Sequence, residues 1–229
     1  MKNYLLILFL FIAQMMRGQL IHDESYLDAE FNAFKAELTS CVLSKDKNKL
    51  MTLLADSIQT SPYDCESEAC AKSEFMNAYF NEAAEDSWKQ LSAILRYGFK
   101  QIKSKELDVP VKHETTVFLA PSFYSSFNDE THLLILGENV NIRKTPSVNA
   151  EVVKRVSWEL LECDCSISTV TETTYQEGDG KDWIQVKEKG KVLGYVVQDY
   201  TSIFIYKQLR VAKVKGKWKI TYFYHFSGC

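Results

Sequence analysis

From Leu27 the apolar residues Leu27, Phe31, Phe34, Leu38 and Val42 recur at helical spacing, which predicts an amphipathic helix of about four turns. Asp46 is placed to cap a shorter second helix carrying Leu50, Leu53 and Leu54. Phe75, Met76, Tyr79 and Phe80 predict a third helix, and Trp88, Leu91, Leu95, Phe99 and Ile102 a fourth. A helix in a small domain buries one face, so these stripes are core positions. Beyond Lys105 the pattern turns extended, through Leu107-Asp108-Val109 and Thr116-Val117-Phe118-Leu119, and then enters an aromatic loop, Pro121 to Phe127.

Strict alternation follows. In Gly137-Glu138-Asn139-Val140-Asn141-Ile142-Arg143-Lys144-Thr145-Pro146-Ser147, apolar Val140 and Ile142 alternate with polar Asn141 and Arg143 up to a Thr-Pro-Ser turn, the pattern of a half-buried strand. Asp182-Trp183-Ile184-Gln185-Val186 and Lys191-Val192-Leu193-Gly194-Tyr195-Val196 alternate in the same way. At the end of the chain, the runs 209–214 and 217–222 flank Lys215-Gly216 and predict a hairpin with Trp218, Ile220 and Tyr222 on one face. A hairpin alone is marginal in water and needs a surface to dock on.

Gly-x-x-Val-Asn-x-Arg-x-x-Pro-Ser, the later Trp-x-x-Val and the Gly-Tyr-Val run together resemble a bacterial SH3 (SH3b) domain over residues 133 to 205. The closing Gly-Lys-Trp-Lys-Ile-Thr resembles the last strands of small α+β domains in exported proteins of the Bacteroidetes type. These resemblances imply an α+β chain. It would hold a signal peptide (1–18), a helical α+β domain (19–132), an SH3-like β-barrel (133–205) and a C-terminal hairpin (206–229) that packs on the helical domain and completes it. The barrel would then be an insertion into that domain or a tight partner of it.

The SH3b resemblance implies a non-enzymatic binding or scaffold protein that contacts a cell-wall-derived or protein peptide. Asn141, Arg143, Tyr195 and Tyr200 are the candidate contact residues. A second role is open to three of them: Asn141 and Arg143 stabilising the turn before Pro146, and Tyr195 packing in the barrel. The alternative function is a small-ligand carrier or enzyme whose site lies in the flanking domain, lined by Trp88, Tyr97, Phe118 and Trp218. A cavity with converging polar groups there would favour that alternative, and a solid core the binding module.

Met1-Lys2-Asn3 is a short basic start, Tyr4 to Ala13 an unbroken apolar run, and Gly18 a small residue at a cleavage point, which together read as a signal peptide; Ala13-Gln14 is a second cut site. The apolar run is too short for a bilayer span, which needs about 20 residues. With 27 basic and 30 acidic residues interspersed and a formal net charge of −3, the chain does not suggest a nucleic-acid partner. Export would let the six cysteines pair, and Cys65 and Cys70, flanking a polar loop, are the first expected bridge. Cys163 and Cys165, side by side on an extended strand, would hold their side chains about 7 Å apart, too far for a bridge unless a bulge intervenes, and are otherwise expected to seek Cys41 or Cys229.

Catalytic constellations are sparse. His113-Glu114 lacks the second histidine of a zinc hydrolase motif, and neither Cys-x-Cys nor Cys-x4-Cys is a zinc knuckle. The grouped cysteines suit disulfides better than a thiolate nucleophile. Glu82, Glu85 and Asp86 suit a helix start, and the 177–182 loop departs from the order of a calcium loop. Lys213, Lys215, Lys217 and Lys219 either guard a strand edge or hold an anionic polymer. No cofactor or metal is expected.

Overall fold

The computed structural model describes residues 21–60, 69–81, 84–106, 116–123, 126–127, 130–165, 175–205 and 207–225. The expected signal peptide, Cys65 and Cys229 therefore lie outside the described residues. The chain is α+β and divides into two compact units, one assembled from residues 20–124 and 207–226, the other holding residues 125–206. In chain order the elements are α1 (Ala29–Ser44), α2 (Lys47–Leu53), β1 (Leu54–Gln59), β2 (Ala69–Ala71), α3 (Lys72–Tyr79), α4 (Glu85–Arg96), β3 (Lys100–Lys103) and β4 (Thr116–Ala120). There follow β5 (His132–Leu134), β6 (Val140–Arg143), β7 (Val152–Val156), β8 (Leu160–Glu162), β9 (Tyr175–Gly178), β10 (Lys181–Glu188), β11 (Lys191–Val197), β12 (Lys207–Val214) and β13 (Lys217–His225). No described helix is long and apolar enough to cross a membrane.

In the helical unit, Asp28 caps α1 by accepting from the Phe31 N–H at 2.8 Å, and Asp46 caps α2 by accepting from Lys49 N–H at 2.9 Å. The fourth helix is shorter than its apolar spacing predicts. Gly98 at φ 70° stops it, with its N–H on Leu95 O, and Phe99 and Ile102 belong to the turn and strand that follow. The sheet runs β2-β1-β13-β12-β4-β3, with β1 parallel to β13 and the other pairs antiparallel. The C-terminal hairpin therefore fills the two central places. Its turn, Lys215 at φ 52° and Gly216 at φ 77°, has both residues left-handed, as a two-residue hairpin loop requires.

The expectation that Trp218, Ile220 and Tyr222 share a face fails because the register slips by one residue between Arg210 and Val211. Trp218, Ile220 and Phe223 face the helices, while Tyr222 turns to the other side under the Arg210 guanidinium, 3.9 Å from the ring centre. On the helical side Phe31 of α1 stacks on Phe118 of β4 with ring centroids 3.5 Å apart, and Trp218 stands edge-on to both at 5.2 and 5.3 Å. Phe223 meets Phe75 and Tyr79 of α3 edge-on at 5.7 and 5.4 Å.

The 23–24 segment covers the outer edge of β3. Glu24 N–H donates to Phe99 O, Phe99 N–H to the Asp23 carboxylate, and Gln101 N–H to the Glu24 carboxylate. Burial alone would raise the pKa of Asp23, but hydrogen bonds from Lys35, Phe99 N–H and Ser25 outweigh it and hold the carboxyl below its ordinary 3.8.

In the other unit the strands follow β5-β8-β10-β11-β6-β7, with β9 also on β10. Among the described residues this path does not close into a barrel. Val140, Ile142, Ile184, Val186 and Val196 form its core with Leu133, Ile135, Val156 and Leu161, so the alternation read from the sequence sets the buried face. Cys163 and Cys165 are bonded to each other, contrary to expectation, because β8 ends at Glu162 and the chain then curls, bringing their Cα atoms to 5.3 Å. Cys41, a proposed partner, is a buried free thiol whose pKa burial pushes up to about 11. Cys70 is disulfide-bonded and fully buried.

Truncation after Phe204 removes β12 and β13 and leaves β1 and β4 without the strands between them. The shortened chain is expected to lose its helical circular dichroism signal or aggregate; a retained cooperative melt would contradict the topology. A second expectation concerns acid. Because Asp23 binds its proton less readily folded than unfolded, its contribution is present above the ordinary carboxylate pKa and is lost as the pH falls through its folded value. Asp23→Asn should therefore flatten the fall in stability below about pH 4, measured by denaturant titration at several pH values.

Candidate functional site

The alternation that buries Ile142 and Val196 turns Asn141, Arg143 and Tyr195 to the opposite side of their strands, all half-buried. Arg143 and Tyr195 lie directly across β6 and β11, Gln185 lies across from Tyr195 on β10, and Arg155 lies across from Asn141 on β7. Three of the four expected contact residues thus share one strip over four neighbouring strands. Tyr200 lies beyond the end of β11, in the Gln198–Tyr200 turn, half exposed, with its carbonyl accepting from Leu136 N–H at 2.8 Å.

Each member of the strip is held. Gln185 Nε2 donates to Tyr195 Oη at 2.9 Å, and Arg155 Nε donates to Asn141 Oδ1 at 3.1 Å. Arg143 Nη1 donates to Ala150 O at 2.7 Å, bracing the Lys144–Ala150 turn as well as lining the strip. Gln185 and Arg155 were not singled out from the sequence. For Gln185 the signal was available, since it sits at an outward position between apolar Ile184 and Val186, but Lys154 beside Arg155 hides the pattern on β7, and cross-strand register is needed to pair either residue.

Two close approaches fix this surface. A Cβ on Gly194 would collide with Arg143 O, so the Gly-Tyr-Val run lets β11 lie against β6. A Cβ on Gly178 would collide with Pro146 O, and Trp183 Nε1 donates to Gly178 O at 2.8 Å. The Asp179 carboxylate accepts from Val148 N–H at 2.7 Å, and hydrogen bonds from Ser147 and Val148 hold it below the usual carboxylate range. The acidic 177–182 loop is thus a β9–β10 hairpin turn clamped to the Pro146 turn. On the other side of β7 from Arg155, a hydrogen bond with Glu188, 2.8 Å away, raises the pKa of Lys154 and lowers that of Glu188.

In the helical unit the four rings expected to line an alternative pocket are buried in packing. Trp88 stands edge-on to Phe80 at 4.7 Å, Tyr97 edge-on to Phe123 at 5.9 Å, and Phe118 and Trp218 close on Phe31. Hairpin lysines are engaged too: Lys213 pairs with Glu30 at 2.7 Å, and Lys219 donates to Thr52 O. Among the described residues, no three side chains of His, Cys, Asp or Glu gather as metal ligands would.

No family model, curated protein or solved structure matches this chain.

The Gly194 approach is testable. Gly194→Ala must push back the Arg143 carbonyl, a strain expected to cost the all-strand unit about 1–3 kcal/mol and to raise hydrogen exchange at β6 and β11 amides. Unchanged exchange there would show that the two strands have room to spare.

Proposed function

We propose that the protein is a non-enzymatic exported binding or scaffold protein, whose all-strand unit acts as an SH3b-like barrel contacting a cell-wall-derived or protein peptide. The observation that carries this reading is the half-buried strip of Asn141, Arg143 and Tyr195, extended by Gln185 and Arg155. It combines an aromatic ring, amide groups and guanidinium donors on a rigid sheet, the composition of a peptide-contact surface. Tyr200 extends the aromatic surface beyond the strand end. The packed rings of the helical unit favour this reading over a ligand carrier or enzyme with its site there, since Trp88, Tyr97, Phe118 and Trp218 are occupied by one another and by their neighbours. Export agrees with the basic start and apolar run at residues 1–13 and with a bridged cysteine pair.

The test is titration of the isotope-labelled protein with soluble peptidoglycan fragments and, separately, with their sugar-free stem peptides. Binding should perturb the amide signals of residues 141–143, 185 and 195. Tyr195→Ala should weaken it by about tenfold or more, the scale of an aromatic anchor, with the melting curve preserved. Perturbations confined to the helical unit would overturn the assignment.

A further inference from the structure

Cys163 and Cys165 are joined two residues apart, closing a ring of three residues. A disulfide stabilises a fold chiefly by restricting the unfolded chain, and the effect shrinks with the loop it closes. A ring this short links positions that the backbone already holds together. The curl has its own support, because the N–H groups of Cys163 and Cys165 donate to Thr131 O and Glu130 O, each at 2.9 Å. The two sulfurs are also unlike. Cys163 is 4% exposed within the apolar core, whereas Cys165 packs only partly against it and is half-buried. Between them Asp164 is exposed and pairs with the Lys187 ammonium at 2.5 Å.

We propose that the Cys163–Cys165 bridge is a thiol–disulfide exchange site, opened and closed by an external dithiol/disulfide couple, and not a structural staple. A thiolate of the external dithiol attacks Sγ of Cys165, the less buried residue of the pair. The bond between the two cysteines breaks, and its electron pair leaves on Cys163 Sγ, which takes up a proton. The second external thiolate then attacks its own partner sulfur in the mixed disulfide and releases Cys165 as a thiolate. Two electrons pass in all: the external dithiol becomes a disulfide and the protein's disulfide a dithiol.

The experiment equilibrates the full chain without denaturant in graded mixtures of reduced and oxidised dithiothreitol, quenches with acid, alkylates and maps the modified cysteines by mass, with thermal melts run alongside. Cys163 and Cys165 are expected to become alkylated while Cys41 stays protected. The melt should remain cooperative, falling by no more than about 10 °C, and removal of the reductant should restore the pair. The C163S/C165S double variant should melt as the reduced protein does. The proposal is overturned if the two thiols react only in denaturant or together with Cys41, if reduction abolishes the cooperative melt, or if either cysteine is bridged to a different partner in the native protein.

Discussion

The helical unit depends on a pairing between the two ends of its sequence. β13 lies parallel to β1, with Leu54 opposite Ile220 and Gln59 opposite Tyr222, and β12 lies antiparallel to β4, with Ala120 opposite Leu209. Among the described residues, nothing else joins the β1–β2 pair to the β3–β4 pair within the sheet. The ring cluster obeys the same constraint, because Phe31 comes from the first helix, Phe118 from β4 and Trp218 from the last strand. Helix α1 has its complete apolar bed only when the final strand is in place. Such pairing closes a long loop, whose entropic cost is offset only by the contacts the C-terminal hairpin makes.

Ala120 and Leu209 are neighbours across β4 and β12, so the two stretches of chain that build the helical unit meet side by side within its sheet. Each unit keeps its own core: the rings around Phe31 in one, Ile142, Ile184 and Val196 in the other.

What was legible in the sequence follows from what each signal encodes. Helical stripes at Phe31, Phe34 and Leu38, the cap at Asp46 and the alternation at Val140 and Ile142 are local signals, and they carry through to burial. The errors arise where a local pattern continues past a boundary set by one residue or by a distant partner. Phe99 and Ile102 extend the spacing of α4, yet Gly98 ends the helix. Tyr222 continues the alternation of Trp218 and Ile220, yet a slip in register against β12 turns it over. Leu54 to Gln59 carries no clean alternation, and its place between β2 and the distant β13 makes it a strand. Cys163 and Cys165 were separated by assuming an extended chain, and the curl after Glu162 removes that assumption. Asn141, Arg143 and Tyr195 could be named singly, whereas their grouping with Gln185 and Arg155 is a property of register.

Lysines are paired with carboxylates in both units, so it is the use of the rings and of the strip's polar groups that distinguishes them. In the helical unit Lys35, Lys45, Lys49, Lys72 and Lys213 are held by carboxylates, and the large rings are spent on packing. In the strip, Asn141 is oriented by Arg155 and Tyr195 by Gln185, while all three strip residues named from the sequence keep part of their surface open. Tyr195 Oη accepts from Gln185, which leaves the phenolic proton available to donate, and Arg143 and Arg155 each retain guanidinium N–H groups beyond the single bond that positions them. Groups already fixed in orientation lose little freedom when a ligand arrives, so a modest contact area can yield measurable affinity. The proposed binding role therefore rests on the union of restraint and residual hydrogen-bonding capacity in one strip of sheet.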